Sequence, residues 1–218
     1  MSLNTQFRNA TGSIITIQQK NSLEDYYELK FIDNTLKMEF LYYNNEIVNG
    51  TYFMSPGENI NNVIGSLDLS HKWSIMSDKE IINGYSVWKK NYMYKGTLSV
   101  VYSKTVFNSN NQEVAQIGYD SSGMPTRGGY KILNIANKNI IFDVDDIDGF
   151  FDNDAEVIFY FDENGEISSI DTNTKVFSEP YTILPKFLRE QKDGPILNLM
   201  TPAMLSYFTN FLPLVPNF

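Results

Sequence analysis

The sequence predicts a soluble, mainly antiparallel β protein, and three observations point that way. Aromatic residues make up 14% of the chain and are spread among many Thr, Ile and Val residues; branched and aromatic side chains fit a half-buried pleated surface. Short segments with period-two alternation recur along the chain, with turn residues between them. The 218 residues are enough for one good-sized barrel or sandwich, or for one such domain carrying an appended segment.

About a dozen strands are expected on these grounds. The first, near 13–19, precedes a hairpin of 26–32 and 35–43 that turns at Asp33-Asn34. Tyr43-Asn44-Asn45 leads into 46–54, which is followed by β segments at 62–69, 80–90 and 94–107. A strand at 112–120 ends at Asp120-Ser-Ser-Gly123, and 129–136 and 139–144 come next. The clearest hairpin joins 155–162 to 166–171 through Asp162-Glu163-Asn164-Gly165, because Asn-Gly tolerates the positive φ of a tight turn.

After Glu179 the character changes. Six of the eight prolines lie between Pro180 and Pro216, and Pro195–Phe218 carries no charge. Pro202, Pro213 and Pro216, with Asn198, Thr201, Ser206, Thr209 and Asn210, make a poor spanning helix, so no membrane span is expected. Residues 179–218 read as a Pro-rich apolar tail packed on the β domain or across a subunit interface.

Net charge is -9 and the pI about 4.6. Phosphate binding relies on Lys and Arg clustered on one face, so a nucleic-acid role is not expected. The nearest candidate cluster, Lys89 and Lys90 with Lys95, splits between two faces on a strand. The chain has no cysteine, which excludes disulfides, thiol nucleophiles and Cys-based zinc sites. Met1–Ala10 is polar and shows no signal peptide, and the compartment stays open.

Tests for chemistry give no catalytic constellation, and the chain is expected not to be an enzyme. The one histidine, His71, sits in Leu69-Ser-His-Lys-Trp73 with no nucleophile elbow in the chain. Asp143-Val-Asp145-Asp146-Ile-Asp148-Gly149 invites a calcium loop, but taking Gly149 as its sixth position puts Val144 first and Ala155 twelfth. It reads as a solvated acidic turn, and no metal is expected. Gly123-Met-Pro-Thr-Arg-Gly128-Gly129 lacks the Gly-Lys-Ser/Thr of a phosphate loop and reads as a flexible turn.

From about residue 7 to 143 a series of short motifs occurs in order: Asn9-Ala-Thr-Gly-Ser13, Asn49-Gly-Thr-Tyr52, Val63-Ile-Gly65, Gly84-Tyr-Ser-Val-Trp88-Lys-Lys-Asn-Tyr92, Thr97-Leu-Ser99, Gln116 and Tyr130-Lys131. The series resembles the avidin and streptavidin family of biotin-binding barrels. The resemblance implies an up-and-down antiparallel β-barrel over residues 1–143, with a hairpin inserted at about 20–43. Two segments fall outside it: 144–178, an additional acidic loop and hairpin, and the tail.

The resemblance also implies a ligand site. Asn9, Ser13 and Tyr52 match the donors to the ureido oxygen, Thr97 and Ser99 match hydroxyls that meet the ligand's carboxylate and sulfur, and Trp88 matches one wall tryptophan. Val101, Ile117 and Tyr130 fall where the other wall tryptophans stand, which reduces the aromatic wall. The family's ureido-accepting carboxylate falls at Lys138, or at Asn139 with a one-residue slip; of the two only Asn139 has a side-chain acceptor. Biotin binding is therefore expected to be weakened or turned to another ligand. Homo-oligomers are implied by the same resemblance, and no cofactor is expected beyond biotin as a ligand.

A second resemblance, to MORN-like repeated hairpins, rests on Tyr42-Tyr-Asn-Asn-Glu-Ile-Val-Asn-Gly50 and Tyr160-Phe-Asp-Glu-Asn-Gly165, without a regular period. Two functions from different classes follow. One is an avidin-like, non-catalytic small-ligand binder, and the other is a protein interaction module on a β scaffold.

Overall fold

The computed structural model describes residues 2–10, 12–125, 128–136, 154–172, 176–177 and 200–218. In chain order the first strands are β1 (Leu3–Arg8), β2 (Ile14–Ile15), β3 (Asp25–Ile32), β4 (Thr35–Tyr43), β5 (Glu46–Phe53) and β6 (Lys72–Ile82). They are followed by β7 (Tyr85–Tyr94), β8 (Thr97–Phe107), β9 (Glu113–Tyr119), β10 (Gly129–Ala136), β11 (Asp154–Phe161), β12 (Ile167–Thr172) and β13 (Val176–Phe177). Three short helices, α1 (Ile17–Lys20), α2 (Ile60–Ser66) and α3 (Pro202–Thr209), complete the described elements.

The strands form one ladder in the order β13-β12-β11-β10-β9-β8-β7-β6-β5-β4-β3-β1-β2. The chain is therefore all-β in class and mostly antiparallel, with β5 and β6 running parallel. A barrel needs its first and last strands to pair. Among the described residues no pairing joins the two ends of the ladder.

Turn chemistry sets most of the register. Asp33-Asn34, Asn44-Asn45, Asn83-Gly84 and Lys95-Gly96 each have positive φ at both positions, the signature of the two-residue turn whose twist matches the flanking strands. The 162–165 hairpin is built differently from the expected tight Asn-Gly turn. Only Gly165 takes positive φ (83°), while Asp162 Oδ1 accepts from the backbone N–H of Asn164 and Glu166. Asp120 with Gly123 and Asn108 with Asn111 repeat the device.

Several expected elements differ. The segment expected as a strand at 62–69 is helix α2, because Ile60, Val63, Ile64 and Leu67 recur at helical spacing and Asn59 Oδ1 caps Asn61 N. The strand expected at 80–90 is broken by the turn at Asn83-Gly84, and Lys95-Gly96 interrupts the one expected at 94–107. Of 13–19 only Ile14–Ile15 is strand; Thr16 then opens α1 with a reciprocal cap to Gln19. Strands β1 and most of β6 lie where none was expected. The strand expected at 139–144, the acidic stretch 143–149 and residues 179–199 of the tail lie outside the described residues.

The chain divides into two compact units, residues 1–79 with 88–102 and residues 80–87 with 103–218. In unit 1, directly paired residues share a face. Phe7, Glu28, Phe40, Gly50 and Trp73 make one row across β1, β3, β4, β5 and β6. Helix α2, carried by the β5–β6 crossover, contributes Val63, and Leu67 follows it, to a cluster with Phe40, Trp73, Ile75 and Met93. Lys37 ties that crossover down: its Nζ donates to Ser55 Oγ and to Glu58 Oε1 at 2.8 Å. Burial works to raise the Glu58 pKa, but the bonds from Lys37 and from Ser55 N outweigh it and hold the carboxyl below its usual range.

In unit 2, Val87, Val106, Val114, Ala115, Ile117 and Leu214 form the cluster. The C-terminal segment supplies Leu214 after α3, which opens with Pro202 at its first turn and Thr201 Oγ1 accepting from Met204 N. Phe208 meets Phe159 and Phe211 meets Phe161, with ring centroids 5.4 and 5.7 Å apart. Lys131, fully buried, donates from Nζ to the carbonyls of Tyr207, Asn210 and Pro213 at 2.7–2.8 Å. A cation at the end of a helix meets carbonyls that have no partner within the helix. None of the three helices is long and apolar enough to cross a membrane.

Candidate functional site: the charged and aromatic face of unit 1

Alternation along the strands leaves unit 1 with a second face, opposite the α2 cluster. One row on it is Gln6, Leu29, Glu39, Thr51 and Ser74, and the next begins Arg8, Tyr27 and Leu41. Phe53 stands two residues beyond Thr51 and pairs with Met76. Trp88 meets Phe53 edge-on at 5.7 Å, and Lys90 follows two residues along β7, so Phe53, Trp88 and Lys90 join the same face.

Charge on this face is mixed. Arg8 Nη2 donates to Glu39 Oε2 at 2.9 Å, and the guanidinium lies 4.6 Å from the centroid of the Tyr27 ring. Burial pushes the Glu39 carboxyl up; the positive charges of Arg8 and Lys90 offset only part of that. Arg8 Nε is sealed from water and has no hydrogen-bond partner among the described residues. A buried donor left this way costs about 1–3 kcal/mol. Lys79 places its ammonium 5.2 Å from the Trp88 ring. Arg8 and Lys90 thus both act on the Glu39 carboxylate, and a third cation, Lys79, sits over Trp88, in a chain whose net charge is strongly negative.

The residues singled out in the sequence are spread around this face and elsewhere. Asn9 Oδ1 accepts from Ser13 N at 2.8 Å, closing the loop between β1 and β2, and Ser13 is exposed. Tyr52 lies on the α2 side, where its hydroxyl is 3.4 Å from Glu58 Oε1; burial first, and then that carboxylate, raise its pKa. Strands β3 and β4 lie between β1 and β5, a separation of about three strand spacings, or roughly 14 Å. Asn9, Ser13 and Tyr52 therefore do not share one hydrogen-bonding point.

Thr97 and Ser99 are exposed on β8, and Ser99 Oγ accepts from Val101 N. Ile117 is fully buried in the unit 2 cluster, and Tyr130 donates to Glu113 and packs near Tyr160. Asn139 and Lys138 lie outside the described residues. Of the residues singled out, Trp88 belongs to the face described here. Arg8 and Glu39 were not legible as a pair, since 31 residues separate them and only the β1–β3–β4 order brings them together.

Among the described residues no group of acidic or histidine side chains is arranged to hold a metal ion. His71 Nε2 lies 3.4 Å from the Asp68 carboxylate on a loop, apart from this face. The chemistry available on the face is recognition: cationic donors, one carboxylate of raised pKa and π surfaces. No family model, no curated protein and no solved structure matches the chain.

Proposed function

We propose that the chain is a non-catalytic binding protein, and that the Arg8–Glu39–Trp88 face of unit 1 takes a ligand with a carboxylate on an apolar body. One observation carries this reading: among the described residues Arg8, stacked on Tyr27 and bonded to Glu39, keeps a donor without an acceptor on the face that also carries Phe53 and Trp88. A ligand carboxylate would give the exposed side of the guanidinium a second acceptor next to Glu39, with Lys90 as a further cation, and its apolar body would lie along the aromatic side chains of the face. Biotin, whose binding the avidin-like resemblance implies, has both parts and is a suitable first probe; N-acetyl-L-phenylalanine is the second.

Titration calorimetry of the full chain with each probe tests the proposal. Saturable one-site binding is expected, weakened at least ten-fold in Arg8→Met. Absence of heat with both probes, or unchanged affinity in a folded Arg8→Met chain, overturns it.

A protein interaction module is the second reading. It is favoured by Tyr94 and Val100, which are 54% and 77% exposed on either side of the Lys95-Gly96 turn. Light scattering of the wild type against the double variant Tyr94→Ser, Val100→Ser separates the readings where the partner is a second copy, since only an interface would lose mass.

A further inference from the structure

We propose that unit 2 carries a separate binding site, a cavity of about 400 Å³ that takes a small zwitterion with an apolar side chain, an amino acid or dipeptide of the leucine or phenylalanine kind. The cavity is lined by Glu80, Ile82 and Asn83 of the β6 end and its turn, by Val87, Lys104 and Tyr119, and by the C-terminal residues from Pro213 to Val215 with Asn217. Its volume falls within the range of small-ligand sites, about 300–1,000 Å³.

The strand register explains the arrangement of charge. The two-residue turns at Asn83-Gly84 and Lys95-Gly96 set Ile82 opposite Tyr85 and Tyr94 opposite Thr97. Counting back from them puts Glu80, Val87 and Lys104 side by side in one row over β6, β7 and β8. An anion and a cation thus flank an apolar floor, two ladder steps or roughly 10 Å apart at the backbone. Among the described residues neither forms an ion pair; Lys104 rests 5.8 Å from the Tyr119 ring centroid.

The opposite wall is held in place. Asn83 Nδ2 donates to the Pro216 carbonyl at 3.1 Å, Tyr207 Oη to the Leu214 carbonyl at 2.8 Å and Lys131 Nζ to the Pro213 carbonyl at 2.8 Å. Three side chains from different elements fix three of four consecutive carbonyls, so the wall is formed before a ligand arrives, which lowers the ordering cost of binding. Burial drives the Tyr207 pKa upward, so its hydroxyl remains a donor at neutral pH.

The ligand class follows from the two charges and the lining. A simple anion would meet Glu80, a simple cation would meet Lys104, and an uncharged ligand would desolvate both without compensation. A molecule whose opposite charges are one or two residues apart fits the gap, at about 3.3–3.6 Å per residue. Its side chain would lie among Ile82, Val87, Leu214 and Val215.

The test is calorimetry on the full chain with L-phenylalanine, L-phenylalaninamide and N-acetyl-L-phenylalanine, repeated with L-leucyl-L-leucine. All titrations are also run on Arg8→Met, so that ligand held at the unit 1 face is not counted. A zwitterion affinity at least ten-fold above those of the amide and the acetyl compound is expected, with a further ten-fold loss in both Glu80→Gln and Lys104→Met. Circular dichroism confirms that the variants fold. Equal binding of all probes, absence of zwitterion binding, or full affinity in both folded variants overturns the proposal and leaves the unit 1 reading untouched.

Discussion

The ring of Trp73 lies against the backbone of Gly50. A Cβ at position 50 would sit 2.7 Å from ring carbons Cε3 and Cζ3, inside any normal contact. The ring cannot easily retreat, since Nε1 donates to the Asp68 carbonyl at 2.8 Å and Phe40 stands edge-on at 5.4 Å.

Gly50→Ala is therefore expected to destabilise unit 1 by about 1–3 kcal/mol through overpacking. Urea unfolding followed by tryptophan fluorescence measures it. A variant as stable as the wild type would mean that Trp73 is free to move and that the α2 cluster is loosely packed.

Lys95 presents the opposite case, a residue whose own conformation is unfavourable. It takes φ 49° in a two-residue turn where the other three turns carry Asp or Asn first. Asparagine tolerates the left-handed region better than lysine. Lys95→Asn should thus raise stability by about 0.5–1 kcal/mol, scaled from substitutions that suit the native backbone. A lower melting temperature would show that the Lys95 ammonium over the Tyr94 ring matters more than the backbone.

How far the sequence discloses this molecule depends on the range of the interaction that decides each part. The hairpins at Asp33-Asn34 and Asp162-Gly165 are legible because their turns are set by adjacent residues. Helix α2 is harder to read: Ile60, Val63, Ile64 and Leu67 have helical spacing behind Asn59, but over seven residues that spacing competes with the β-branched pair Val63-Ile64, which suits a strand equally well. Strand β1 escapes notice because Leu3–Arg8 is mostly polar and pairs with β3, more than fifteen residues on. The same distance hides Arg8 and Glu39, whereas Trp88 stands out by residue type alone.

Lys131 yields a prediction about pH. Its three N–H groups have three carbonyl acceptors, yet burial pulls its pKa from 10.5 down to about 7. Between those values the unfolded chain holds a proton that the folded chain has released, so this group makes stability rise with pH from about 7 toward 10.5 and adds no slope below 7. Chemical denaturation at pH 6, 8 and 9.5, in wild type and in Lys131→Met, should show the difference in stability shifting in favour of the wild type as pH rises. A flat or falling difference would show that the carbonyls keep the ammonium charged throughout.

The C-terminal segment offers the sharpest test of the packing in unit 2. Residues 200–218 supply buried Tyr207, Phe208 and Leu214, and three of their carbonyls engage Lys131. Ending the chain before Met200 would uncover Phe159, Phe161 and the Val87 cluster, and would leave the Lys131 Nζ without those acceptors. Each large apolar side chain returned to water costs about 1.5–3 kcal/mol, and an exposed apolar patch of that size promotes association. The shortened chain is expected to melt at a markedly lower temperature and to aggregate in light scattering. Replacing Lys131 with Met in the shortened chain should recover part of the loss, because it removes the buried cation that the truncation orphans. Unchanged melting after truncation would mean that the sheet of unit 2 is stable without the segment, and that Lys131 finds water or other acceptors when the segment is gone.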